Sequence, residues 1–313
     1  HLPYDLGAVS HPGRGVKVRA EFADLIDGHG VLVECASKHR IVRSHAPDNA
    51  AMPCLRQQAL QLILMQDADA KAAAVRALPP VLHVDDSTRL RQLTEPAGVP
   101  GRPARPDLRH PSEMKNRAVG SLEGRAALLH ALAHIESNAI DLALDVLWRF
   151  DGMPEAFYLD WLQVAREEAL HFELLHAHLR ELGFAYGDFP AHTGLWDMAE
   201  KTSGDLLARL ALVPRTLEAR GLDASPAVRN KLVSVGDRRG GEIIDIILRD
   251  EIGHVAIGNR WFRYLCEQRA LAPVPTFAEL ALRYGAPKLK GPFNLDARRA
   301  AGFEEDELAL LGL

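Results

Sequence analysis

At 313 residues, with 47% apolar and 25% charged side chains, the chain has the composition of an ordinary folded protein with enough apolar surface for a sizeable core. A formal charge of -5 excludes an overall electrostatic pull toward nucleic acid and leaves only local basic patches to consider. The longest apolar runs, such as Ile243 to Leu248, are broken by charge and fall far short of the roughly 20 residues a spanning helix needs, so no membrane segment is expected. Without a signal-like apolar stretch in the first thirty or so residues, the expected compartment is the cytoplasm. Cys35, Cys54 and Cys266 form neither a C-x-x-C pair nor an even disulfide framework and are read as reduced.

Residues 1–51 carry scattered Gly, His, Pro and Arg without a sustained period, and read as a leader outside the core, with Met52 as the expected native start. Residues 52–120 form an N-terminal segment. Leu55, Leu60, Leu62, Ile63 and Leu64, followed by an alanine-rich stretch to Leu78, predict helix ended by Pro79-Pro80. Pro96, Pro100, Pro103, Pro106 and Pro111, with Arg102, Arg105 and Arg109 between them, then predict an extended arm outside the core.

From Ser121 the texture becomes long helical patterns with clear punctuation. One helix is expected from about Leu122 to Phe150, stopped by Asp151-Gly152, and the next from Pro154 to Gly183. A stretch from Phe184 to Leu195, too long for an antiparallel turn, separates these from a third helix reaching Gly221. After Ser225-Pro226 and a short helical piece comes the last long helix, Glu242 to about Arg269, with Gly240-Gly241 at its frayed start. Helix, helix, crossover, helix, helix is the connectivity of a ferritin-like four-helix bundle with one long crossover. The predicted fold is therefore all-α, with N-terminal helices before the bundle and a C-terminal extension after it, residues 121–313 forming one unit.

Glu168-x-x-His171 and Glu251-x-x-His254 place a carboxylate and an imidazole about one helical turn apart on the same face, so that both can reach one metal ion. Such pairs are common by chance, and Glu173-x-x-His176 is a third. Helical phase separates them. Trp161, Val164, Ala165, Phe172 and Leu175 define an apolar stripe that Glu168 and His171 interrupt, whereas Glu173 faces elsewhere. Ile244, Ile247, Leu248 and Val255 define the stripe that Glu251 and His254 interrupt. Glu136 falls in the middle of the face formed by Leu129, Leu132, Ala139, Ala143 and Leu147, and Glu218 closes the series Leu207, Leu210, Ala211, Pro214 and Leu217. A buried unpaired carboxylate costs several kcal/mol, so four at one level call for positive charge, which two metal ions would supply.

Each half of the bundle thus reads Glu, then about thirty residues, then Glu-x-x-His, one Glu from each of two helices and one Glu-x-x-His from each of the others, the ligand pattern of di-iron and di-manganese carboxylate bundles. The expected metal ligands are Glu136, Glu168, His171, Glu218, Glu251 and His254, with Pro214 the feature that disturbs the helix of Glu218. Glu167 and Asp250 are expected to accept from the histidine across the bundle, Asp250 from His171 and Glu167 from His254. The bland alternative is a buried polar network, for instance Glu218 with Arg215. His134, His176 and His178 are read as surface or core histidines.

The segments Arg125-Ala-Ala-Leu-Leu-His-Ala-Leu-Ala-His-Ile-Glu136, Tyr186-Gly-Asp-Phe-Pro-Ala-His192, Val213-Pro-Arg-Thr-Leu-Glu-Ala-Arg-Gly-Leu-Asp223 and Arg249-Asp-Glu-Ile-Gly-His-Val-Ala-Ile-Gly-Asn-Arg-Trp-Phe262, with Tyr284-Gly-Ala-Pro287 and Gly291-Pro-Phe-Asn294, resemble the bacterial ferritin-like family catalogued as domain of unknown function 455. The resemblance runs from about Cys54 to the C-terminus and implies the ferritin-like fold and the metal site, without an activity. More distantly, Glu218-Ala-Arg220 beside a Glu-x-x-His helix is similar to the di-iron hydroxylase that modifies isopentenyl-adenosine in tRNA.

These readings lead to an expected di-iron centre, manganese being the other metal the donors suit, in an O2-dependent oxidoreductase. Its substrate is a small molecule or a tRNA, and an electron donor is a further expected partner. Glu136 and His171 would be terminal ligands of one iron, Glu218 and His254 of the other, and Glu168 and Glu251 would bridge. The segment Tyr284 to Phe293, with Lys288 and Lys290, is expected to cover the site. The competing class is an iron-storing or peroxide-detoxifying protein. A tRNA modifier predicts instead one basic face of Arg102, Arg105, Arg109, Lys288 and Lys290. Oligomeric state is left open.

Overall fold

A computed structural model describes residues 54–311 apart from 80–83, 85–88, 111–112, 115–116 and 193. The leader 1–51 and the expected start at Met52 lie outside the described residues. Among the described residues all regular elements are helical, no helix is long and apolar enough to cross a membrane, and the long helices pack as the expected ferritin-like bundle.

Among the described residues, two short helices occupy the stretch up to Leu78 where the sequence pattern predicts one. α1 (Leu55–Ile63) ends, and Asp67 starts α2 (Ala68–Arg76) by accepting a hydrogen bond from the Ala70 amide at 2.7 Å. α1 packs on α3 (Leu122–Arg149) and α2 on α4 (Glu155–Glu181). Lys71 holds the break together: its buried ammonium donates to Ile63 O at 3.3 Å, to Gly101 O at 3.0 Å and to Asp141 Oδ1 on α3 at 2.6 Å. Burial outweighs the attraction of Lys71 and raises the Asp141 pKa to about 6.

The Pro/Arg-rich arm is docked, not free. Pro100, Gly101 and Pro106 are buried, and a Cβ on Gly101 would collide with the Leu64 carbonyl, which is why glycine stands there. Further on, Leu108 pairs with Ala191 in one isolated parallel bridge, through Arg109 N to Ala191 O at 2.8 Å and Ala191 N to Asp107 O at 3.0 Å. Proline leaves few backbone donors, and of those that remain Gly101 N bonds Ile63 O at 2.7 Å and Arg109 N bonds Ala191 O.

Ser121 caps α3, and Gly152 and Gly183, both at positive φ, close the turns after α3 and α4. The crossover is longer than the sequence suggests, because helical pattern after Leu195 belongs to a separate helix, α5 (Gly194–Lys201), and the third bundle helix starts only at α6 (Leu206–Leu212). Arg209 fixes that arrangement from inside: it is fully buried, bonds Thr202 Oγ1 at 2.9 Å and Ala199 O at 2.6 Å on the crossover, and pairs with Asp145 of α3 at 2.5 Å. α6 runs through a π-helical turn, Val213–Glu218, into α7 (Ala219–Ser234). α7 passes Pro226 without breaking. The Leu222 carbonyl, which proline deprives of its helical donor, accepts instead from Asn294 Nδ2 at 3.2 Å.

α8 (Arg238–Gln268) begins four residues before the expected main run, capped by Asp237, so Gly240-Gly241 lies in its first turn. A Cβ at Gly241 would stand 2.6 Å from Val233 Cγ2, so this glycine lets α7 and α8 meet closely, whereas one at Gly240 would meet the capping Asp237. α9 (Pro273–Arg283), α10 (Leu295–Ala300) and α11 (Glu305–Ala309) form the C-terminal extension. Ala297 and Ala301 share a small apolar cluster with Ala219, Leu222 and Val255.

Two glycines of α8 separate propensity from packing. A Cβ at buried Gly258 would lie 2.5 Å from Pro214 Cβ, whereas one at exposed Gly253 meets nothing within 4 Å. Gly258→Ala is expected to cost about 1–3 kcal/mol in urea unfolding through overpacking, and Gly253→Ala to gain about 0.5–1 kcal/mol from helix propensity. Equal effects at the two positions would refute this account of the α8 contact.

Candidate metal centre

Six of the sequence-selected side chains arrive from four directions. Glu136 comes from α3, Glu168 and His171 from α4, Glu218 from the end of the π-helical turn, and Glu251 and His254 from α8. Oxygen and nitrogen atoms of Glu136, Glu168, His171 and Glu251 all lie within 4.8 Å of one another, close enough to share an ion. His171 Nδ1 is 3.3 Å from Glu168 Oε2 and 3.4 Å from Glu136 Oε2. His254 Nδ1 is 3.0 Å from Glu168 Oε1 and 3.5 Å from Glu251 Oε1. Glu168 therefore touches both imidazoles, whose ring centres are 5.8 Å apart.

Glu218 stands slightly apart from this set and joins it through a cavity that it lines together with Glu136, Glu168 and Glu251. Pro214 lies at the start of the π-helical turn, and Thr216 Oγ1 of that turn donates to Ala211 O of α6 at 2.9 Å. A π turn adds one residue to the helical repeat and so rotates the residues that come after it about the helix axis. The proline that disturbs this helix is part of the segment that ends on the ligand.

Both histidines turn Nδ1 toward the carboxylates and Nε2 away. His171 Nε2 lies 3.1 Å from Asp250 Oδ2, and His254 Nε2 lies 2.8 Å from Glu167 Oε2. Each acid belongs to the helix opposite its histidine. That contact favours the tautomer with the proton on Nε2 and leaves the Nδ1 lone pair for a metal.

The donor atoms fit metal better than they fit one another. Glu136 Oε2, Glu168 Oε1, Glu218 Oε2, Glu251 Oε2 and His254 Nδ1 are all buried, and none makes a well-formed hydrogen bond. Burial, reinforced by neighbouring carboxylates, raises Glu136, Glu218 and Glu251 above the usual carboxylate range. Glu168 moves the other way: burial would raise it, but His254 and His171 hold it well below. Burial would lower both histidines. The carboxylates of Asp250, Glu136 and Glu168 around it keep His171 well above its ordinary value, and Glu168 with Glu167 does the same for His254. Without a cation the cluster thus holds its charge down with protons.

The other sequence-selected residues lie elsewhere. His134 bonds Tyr186 Oη at 2.8 Å, His176 contacts Asp69 at 2.8 Å and His178 contacts Asp237 at 2.9 Å, all of them buried structural histidines. Glu173 faces outward to Arg76. Lys288 and Lys290 do not line the carboxylate cavity but a second one, beside Arg215 and Phe277. The reason is anchorage: Asn294 is bonded to Asp223 and Leu222 of α7, which draws the C-terminal segment to that side of the bundle. Arg102 lines a third cavity with Lys71 and Tyr186, and Arg109 is paired with Asp107. Cavity residues that no ligand motif marks include His192 and Arg220. Tyr186 to His192 stands out in the sequence as a segment, but nothing in its spacing ties His192 to the carboxylates.

An all-α bundle with a buried Glu/His cluster defines a class, helical-bundle proteins whose core can hold a metal ion. The chain belongs to the family described as "Protein of unknown function (DUF455)", which matches residues 64–309. A protein of Haemophilus influenzae (strain ATCC 51907 / DSM 11121 / KW20 / Rd), titled "Uncharacterized protein", is 50% identical over 213 residues, 66% of this chain and 74% of that protein. No solved structure matches the chain.

The contact between Asp250 and His171 gives a direct test. Asp250→Ala is expected to weaken metal binding about 10–100-fold in competition with a chelator while leaving the helical circular dichroism unchanged. Unaltered affinity would mean that the carboxylate does not position the ring.

Proposed function

We propose that this protein is a non-haem di-iron oxidoreductase that uses O2 on an organic substrate. The observation that carries this reading is the cavity of about 320 Å³ which ends on Glu136, Glu168, Glu218 and Glu251 and is otherwise walled mainly by apolar side chains, among them Leu132, Ile135, Leu217, Ile244 and Ile247. Sites for small molecules are typically clefts of about 300–1,000 Å³ with a few polar groups in an apolar wall. A centre that only stored iron would have no use for such a wall.

In this reading Glu136, Glu168, His171, Glu218, Glu251 and His254 would together hold the two irons. When bound, the irons supply the electrons and the open coordination positions for O2 reduction. The chain does the rest. Glu167 and Asp250 hold the imidazoles in orientation through Nε2. The aliphatic wall excludes bulk water from the reacting end of the cavity. His192 and Arg220, also on the cavity, are the polar groups available to orient a substrate. For a hydroxylation the overall balance is one C–H bond and O2, with two electrons and two protons, giving one C–OH bond and water, so an external electron donor is part of the proposal.

Loading with ferrous iron under anaerobic conditions is expected to give about two irons per chain, and admission of oxygen a near-ultraviolet charge-transfer band. Glu168→Ala and Glu251→Ala should each lose the second iron and the band. Stoichiometric iron that reacts with peroxide but consumes no reductant in the presence of oxygen would favour the storage or detoxifying alternative. No bound metal under any loading would reduce the six residues to a buried polar network.

A further inference from the structure

A second cavity is larger than the carboxylate one. About 660 Å³ of space lies between α9, the segment after it and the C-terminal helices, and it falls in the size range of small-molecule sites. Its wall is apolar over most of its area, with Phe277, Ala281 and Phe303 inside and Leu282 and Leu310, 85% and 51% exposed, at the rim. Exposed leucines beside an open apolar cavity mark surface that a ligand would cover.

Four of the six polar side chains lining this cavity are cationic, Arg215, Arg298, Lys288 and Lys290, beside Thr216 and Glu307. Arg215 and Arg298 are buried in its wall. Arg215 is bonded to Asn259 and Glu307 and lies over the rings of Phe262, Phe277 and Phe303. Arg298 is paired with Asp223 at 2.6 Å. Glu307 and Asp223 therefore already answer the arginines, although each guanidinium keeps a buried Nη1 without a partner. Lys288 and Lys290 are different. Both are exposed, both line the cavity, and neither has a hydrogen bond or ion pair with a described residue. The segment carrying them has no regular secondary structure, and it brings both lysines to the same cavity. An apolar chamber with two unanswered ammonium groups is complementary to a molecule with an apolar chain and an anionic head.

We propose that this cavity binds an amphipathic anion, an alkyl chain ended by a carboxylate or phosphate, with the chain among Phe277, Ala281 and Phe303 and the head on Lys288 and Lys290. The site is separate from the carboxylate cavity and does not depend on metal. It is nevertheless built on the other side of the same π-helical turn, since Arg215 and Thr216 line it and Glu218 ends that turn.

The test is isothermal titration calorimetry of the full chain with decanoate, decyl phosphate and decanol, all below the concentration at which they aggregate. One anion per chain is expected, bound roughly tenfold or more tightly than decanol, and the preference between decanoate and decyl phosphate identifies the head group. Lys288→Ala with Lys290→Ala should remove that tenfold advantage and leave decanol binding unchanged. Ala278→Trp, which fills the cavity from an exposed wall position, should abolish binding of all three. Metal content and circular dichroism should be the same in both variants, which shows that they fold. No binding of either anion, equal binding of anion and alcohol, or binding that survives both variants overturns the proposal.

Discussion

The structure depends on one constraint, the placement of four carboxylates inside the apolar core of a helical bundle. Each would cost several kcal/mol unpaired, and the core around them gives them no hydrogen-bond donors beyond two imidazoles. Glu168, in contact with both rings, has its charge answered. Glu136, Glu218 and Glu251 do not, and burial pushes their pKa values up. A metal ion, which this cluster could hold, would answer those charges. The alternative, replacing them with Leu or Ala to continue the apolar stripes, would be the more stable core.

The surrounding architecture holds these groups at a common level. The buried Arg209 to Asp145 pair locks the crossover helix and α6 against α3 and so sets where the third bundle helix begins. The π-helical turn then absorbs Pro214 and delivers Glu218, while Gly258 leaves room for Pro214 against α8. Glu167 and Asp250 complete the frame by tying the imidazoles across the bundle. Stability and site geometry are here the same set of contacts.

The bundle helices and the ligand positions are legible in the sequence for a physical reason. Glu168, His171, Glu251 and His254 interrupt strongly periodic apolar faces, and Gly152 and Gly183 end their helices at positive φ. The features that are not legible depend on packing between distant segments. The break between α1 and α2 rests on Asp67 and Lys71, and Lys71 finds its acid on α3. The docked arm rests on a buried Gly101 and a pairing with Ala191. Lysines in the C-terminal segment suit a covering role over the carboxylates, and on the sequence alone that is where the segment belongs. Its true anchorage, Asn294 on α7, involves a lone asparagine that no periodicity marks. Neither cavity leaves a trace in any local pattern.

Mössbauer spectroscopy of protein loaded anaerobically with enriched ferrous iron and then oxidised tests whether the six residues bind a coupled pair of metal ions, as proposed. The expected result is one population of antiferromagnetically coupled, diamagnetic ferric pairs with oxygen and nitrogen ligation. Isolated paramagnetic ferric ions, or iron that does not remain with the protein, would contradict it.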